Sequence, residues 1–145
     1  MGVGFLLDTN VISEARKRNG SSVVKDWIRT SYGPTLHLSS LTVGEIRCGI
    51  ELCREKDPAK AATLERWLLT LRRQFGDRII PVTAAVTEEW GRLNALRTLP
   101  AVDGLLAATA RAHGWTLVTC NVKDFMGTGV SLLNPFETTS QGSSH

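Results

Sequence analysis

With 145 residues, 42% hydrophobic and 21% charged, the chain matches one ordinary domain that can bury a core without disulfide or metal staples. Its net charge of +3, from 17 Lys and Arg against 14 Asp and Glu, tolerates a polyanionic partner without defining one. No apolar run approaches the ~18 residues of a membrane span, which excludes a spanning helix, and Cys48, Cys53 and Cys120 lack any Cys-x-x-Cys spacing, which disfavours a zinc site or a disulfide framework.

The N-terminus carries no charged segment followed by a cleavage site, and Leu6 stands where an acylation signal beginning Met1-Gly2 needs Ser or Thr. A cytoplasmic protein without membrane attachment is expected, its cysteines free thiols.

The first element is Phe5-Leu6-Leu7-Asp8, an apolar run that ends in a carboxylate and turns at once into helical spacing. A short buried strand there delivers Asp8 to its carboxyl end, the edge where open α/β sheets bind ligands. Residues 11–18 read as a helix closed by Arg16-Lys17-Arg18 and stopped by Asn19-Gly20. Those cations suit the negative end of the helix dipole, with a phosphate contact as the alternative reading. Ser21 or Ser22 caps a second helix bearing Val24, Trp27 and Ile28, ended by Tyr32-Gly33-Pro34.

A strand at 35–38 leads to a helix from Thr42, in which Val43, Ile46, Ile50 and Cys53 recur at helical spacing and Glu45 occupies the first turn. Asp57-Pro58 starts a longer helix with Leu64, Trp67, Leu68, Leu71 and Phe75 as a broad apolar stripe, read as core with a dimer contact as a further use. Gly76-Asp77 turns into a strand at 79–82, and Thr83 or Thr87 caps a helix with Val86, Trp90 and Leu93 that Leu99-Pro100 breaks. The helix at 102–113 contains Asp103 and the small residues Ala107, Ala108, Ala110 and Ala112, which permit close packing, with Gly114 as its stop. A strand at 116–119, a turn at 121–125 and an edge strand at 130–133 complete a domain over residues 1–137, and the polar residues 138–145 read as a disordered tail. Strands alternating with helices predict an α/β fold, a parallel sheet of about four to five strands with helices on both faces.

Taken singly, the acids have structural explanations. Thr42-x-x-Glu45 fits a capping box, Asp103 suits a first helical turn, and Asp8 can cap the helix that follows it. Taken together they point elsewhere. Three carboxylates about 5 Å apart repel by roughly 3 kcal/mol per pair at an effective dielectric near 20, so a fold that gathers them needs a cation. Oxygen-only ligands select hard dications such as Mg²⁺ or Mn²⁺, which activate water for attack on phosphodiesters.

The stretches Leu6-Leu7-Asp8-Thr9-Asn10-Val11-Ile12-Ser13, Glu45, Asp103-Gly104-Leu105-Leu106-Ala107-Ala108-Thr109-Ala110 and Thr119-Cys120-Asn121-Val122-Lys123-Asp124-Phe125, then Gly129-Val130 and Leu133-Asn134-Pro135-Phe136, carry a resemblance in order and spacing. Together they resemble a PIN-domain protein of the VapC/FitB toxin type. That resemblance implies a Mg²⁺-dependent endoribonuclease, with Mn²⁺ as substitute, acting as the toxin of a toxin–antitoxin pair. It implies an RNA substrate, a VapB-like antitoxin through which the complex meets DNA, and a homodimer. The family's three best-fixed acids correspond to Asp8, Glu45 and Asp103, with Asp124 as the fourth metal-binding and catalytic carboxylate. Asn121 helps place a ligand or water, and Thr9 hydrogen-bonds a carboxylate or water. Cys120 replaces a basic residue common in relatives. By the same resemblance a water activated at the ion attacks the RNA phosphorus in line, with Arg16, Lys17 or Arg47 holding the flanking backbone.

Other classes fit less well. The opening also resembles haloacid-dehalogenase phosphatases, but Asn10 stands where their second Asp belongs; receiver-domain acids and a serine-hydrolase elbow are missing from the sequence. The non-enzymatic alternative is a catalytically silent PIN-like module that binds RNA or protein in a regulatory complex.

Overall fold

Leu6 and Leu7 point to opposite faces of β1 (Phe5–Leu7), and this alternation divides the interior in two. The computed structural model describes residues 3–137, so the expected tail at 138–145 lies outside the described residues. Leu7 packs with Val11, Val24, Leu38, Ile50 and Leu68; Leu6 packs with Val86, Leu93, Leu106, Leu117 and Phe125. The first set draws on α1 (Thr9–Arg16), α2 (Ser22–Thr30), α3 (Ser40–Lys56) and α4 (Pro58–Phe75). The second draws on α5 (Ala84–Leu96) and α6 (Ala101–His113), so helices cover both faces.

With β2 (Leu36–Ser39), β3 (Ile79–Ile80), β4 (Thr116–Val118) and β5 (Ser131–Leu133), β1 forms a five-stranded sheet in the order β3-β2-β1-β4-β5. Every pairing is parallel, with Leu6 opposite His37 on one side and Leu117 on the other. All carboxyl ends therefore meet at one edge. Among the described residues no helix is long and apolar enough to cross a membrane, and all three cysteines are free.

Several element boundaries differ from the sequence reading, each for a local reason. Asp8 caps α1 directly, so that helix begins at Thr9 instead of Val11. Residues Gly33–Thr35 form a tight 3₁₀ turn, which delays β2 to Leu36. Ser39 caps α3 by accepting from Leu41 N–H at 3.0 Å, which leaves Thr42 fully buried inside the helix. The Thr42–Glu45 capping box is thereby overturned. β3 stops at Ile80 because Pro81 has no N–H to give the ladder. Trp67 lies partly buried against the first core and Trp90 packs against the second.

At the amino edge of the sheet the Trp115 ring lies between His37 and His113, at centroid distances of 3.8 and 4.3 Å. A Cβ placed on Gly4 would come within 2.1 Å of that ring, which two stacked imidazoles prevent from turning aside. Gly4→Ala is expected to destabilise the domain by ~1–3 kcal/mol, the usual cost of overpacking. Urea unfolding with an unchanged midpoint would contradict this.

Candidate active site

Asp8 follows the last residue of β1, and its backbone N–H still donates to Val118 of β4 at 2.9 Å. The strand pairing thus sets its carboxylate beside Thr119, where β4 ends. The group is only 7% exposed. Its Oδ1 accepts from Thr9 N–H at 2.7 Å; its Oδ2 accepts from the Thr119 hydroxyl at 2.9 Å and from Asn10 Nδ2 at 3.3 Å. A carboxylate has about four lone-pair sites, so these three donors leave roughly one for a ligand.

Glu45 reaches the same edge from α3. The Thr9 hydroxyl lies 2.5 Å from Glu45 Oε1 and 3.1 Å from Thr42 Oγ1, tying α1 to α3 across the sheet edge. Asp103 lies half-buried in the first turn of α6, as expected. Asp124 sits exposed in the 3₁₀ turn Val122–Phe125, which the buried Phe125 ring anchors. Beyond that turn the loop is clasped by Arg97 donating to the Met126 carbonyl and by Arg111 donating to the Thr128 carbonyl at 2.7 Å.

The carboxylates act on one another. Burial pushes the Asp8 carboxyl above the ordinary range; the Thr119 and Thr9 hydrogen bonds oppose that, and the charges of Asp103 and Glu45 add to it. Asp103 is also raised, first by burial and then by the charges of Asp124 and Glu45. The acids predicted from sequence are thus within electrostatic reach of each other. Among the described residues, however, no three His, Cys, Asp or Glu side chains converge tightly enough to hold a metal ion as they stand. The arrangement is an open set of oxygen donors with uncompensated negative charge. That donor chemistry fits a hard dication that keeps several waters in its own shell.

Two contributors escaped the sequence reading. Asn10 spans the junction, donating to Asp8 and to Thr119 Oγ1 at 3.4 Å while its Oδ1 accepts from Cys120 N–H at 3.2 Å. Thr119, fully buried, also accepts from Asn121 N–H at 3.1 Å, so Asn121 enters the network through its backbone. The available signal was a polar residue closing the apolar run Leu117-Val118. Burial first, then the charges of Glu14 and Asp8, push the Cys120 thiol up to about 11, so it stays neutral. Of the cations expected to hold RNA, Arg47 is committed to Glu65 at 2.5 Å and Glu51 at 3.1 Å, and Lys17 pairs with Glu14 at 3.9 Å. Arg16 remains, its guanidinium 5.6 Å above the Trp67 ring.

A parallel sheet with Asp8 at the carboxyl end of its central strand, and acids from α3, α6 and the loop after β4 within electrostatic reach of one another, defines the class of domain, an α/β fold with an acidic crevice. The chain belongs to the PIN domain family, whose model matches residues 5–125. Plasmid stability protein StbB of Pseudomonas syringae pv. tomato is 34% identical over 140 residues, covering 92% of this chain and 99% of that protein. Toxin FitB of Neisseria gonorrhoeae is 31% identical over 139 residues, covering 91% and 98%. The crystal structure of FitAcB from that organism matches with a TM-score of 0.85 at 30% identity, covering 91% of this chain and 98% of that chain. The VapC ribonuclease Y4jK of Sinorhizobium fredii is 31% identical over 144 residues, covering 92% and 98%.

The raised carboxyl of Asp8 sets a pH dependence. A carboxyl whose folded pKa lies above its unfolded value stabilises the fold most below that unfolded value and loses the contribution as pH rises through the folded value. Without divalent ions, Asp8→Asn is therefore expected to melt above the wild type at pH 7, with the gap closing as pH falls below the ordinary carboxylate range. A variant that melts lower at pH 7 would show that the hydrogen bonds to Oδ2 outweigh the burial of charge.

Proposed function

We propose that this protein is the toxin of a toxin–antitoxin pair and acts as a Mg²⁺-dependent endoribonuclease. The observation that carries the reading is the buried Asp8 carboxylate at the carboxyl edge of the sheet, raised further by Asp103 and Glu45. Family membership supports it, as does full-length likeness to a protein named a VapC ribonuclease and to one named a toxin.

Asp8, Glu45 and Asp103 would hold the ion, with Asp124 on the exposed turn as the fourth carboxylate. When bound, the ion offsets their repulsion and supplies an activated water for attack on the RNA phosphorus. The protein's own part is positional. Thr119 and the Thr9 N–H fix the two Asp8 oxygens, and the Thr9 hydroxyl fixes Glu45. Asn10 locks the ends of β1 and β4 together, so the Asp8 oxygens keep their direction. The reading extends to a homodimer and to a VapB-like antitoxin that carries the complex to DNA, in a cytoplasmic setting.

Purified protein is expected to cut a short single-stranded RNA in Mg²⁺, and to lose cutting with a chelator or with Glu45→Gln. Thr119→Val, which keeps the shape but removes a donor to Asp8, is expected to lower the rate by ~10–100-fold. Protein that binds RNA or antitoxin but never cuts under these conditions would make the silent binding module the correct reading.

A further inference from the structure

A cleft of about 260 Å³ opens between α1, α3 and α4, and one end of it is the acidic crevice itself, since Thr9 and Glu45 line both. Ile46, Ile50 and Leu64 give it an apolar lining, to which Arg16, Lys60 and the Trp67 ring also contribute. The cleft thus carries a carboxylate together with a guanidinium and an ammonium. Neighbouring cations are spent differently: Arg47 and Arg54 lock α3 to α4 through Glu51 and Glu65. Among the described residues, Arg16 and Lys60 enter no ion pair, and the Arg16 guanidinium rests over Trp67 at 5.6 Å.

We propose that this cleft is a nucleotide subsite that takes the base and ribose of the RNA residue next to the phosphate being cut, with Arg16 and Lys60 as contacts to the flanking phosphates. The inference rests on the ribonuclease reading and extends it to the residues that grip the substrate. A strand whose phosphate lies at the acids must leave over a neighbouring surface, and this cleft is continuous with them. Single-stranded nucleic acid is held by an aromatic plane with cations around it, because every base has a face to stack and every linkage a charge to neutralise.

The test measures anisotropy of a labelled ten-nucleotide single-stranded RNA in Mg²⁺ buffer, using the full chain with Asp8→Asn to prevent cutting. Trp67→Ala is expected to weaken binding about tenfold or more, and Trp67→Phe to recover most of it. Lys60→Ala and Arg16→Ala, which remove no core side chain, are each expected to weaken binding and reduce the salt slope by about one. In the otherwise wild-type chain the same changes should raise KM and spare kcat. Affinities and salt slopes equal to the parent's would overturn the subsite while cutting by the wild-type chain keeps the nuclease reading. Weaker capture of a partner protein with RNA affinity unchanged would make the cleft a protein-docking surface and overturn it too. A chain that neither binds nor cuts RNA would remove both.

Discussion

A carboxylate taken out of water, with no cation beside it among the described residues, governs this structure. The hydrogen-bond donors to Asp8 are a backbone N–H, a hydroxyl and an amide, all neutral, together with the positive end of α1 that it caps. Such dipoles offset part of the desolvation cost but bring no positive charge. Glu45 and Asp103 then add negative charge from two other helices. A fold selected only for stability would place a neutral residue there, whereas one that holds a dication needs this shortage of positive charge.

The sheet topology is what brings these acids to one place. Three adjacent parallel strands, β2-β1-β4, bring their carboxyl ends to one edge, so that short contacts join residues more than a hundred positions apart, such as Asp8 and Thr119. The flanking elements then divide the work. α3 and α6 each present an acid near their amino ends, and the loop after β4 presents Asp124 on a turn pinned by Phe125. On the side of α1 and α4 the same edge opens into a cleft lined by Arg16 and Lys60 as well as by Glu45.

The helices and the succession of strands along the chain were legible because periodicity and punctuation are local. Pro58 at the start of α4 and Gly114 at the end of α6 act within one turn, and Gly114 adopts φ 71°, which its missing side chain permits. The placement of Asp8 at a strand end was legible from Leu6-Leu7 for the same reason. What sequence could not show were choices made between distant partners. Thr42 looks like a cap by its spacing to Glu45, yet Ser39 caps α3 and Thr42 is buried inside the helix against Thr9. Arg47 looks free until Glu65 arrives from the next helix. Asn10 reads as a lost catalytic acid, yet it holds two strand ends together. Nor does any spacing rule reveal how far open the four acids stand.

The central claim is that the acidic edge is built to be completed by a divalent ion. Calorimetric titration of Mg²⁺ and Mn²⁺ into the wild-type chain and into Asp8→Asn, with melting temperature followed in parallel, tests it most directly. Saturable heat and a rising melting temperature in the wild type, both lost in the variant, are the predicted result. A wild-type chain that gives neither heat nor a shift, or a variant that responds equally, would contradict the account.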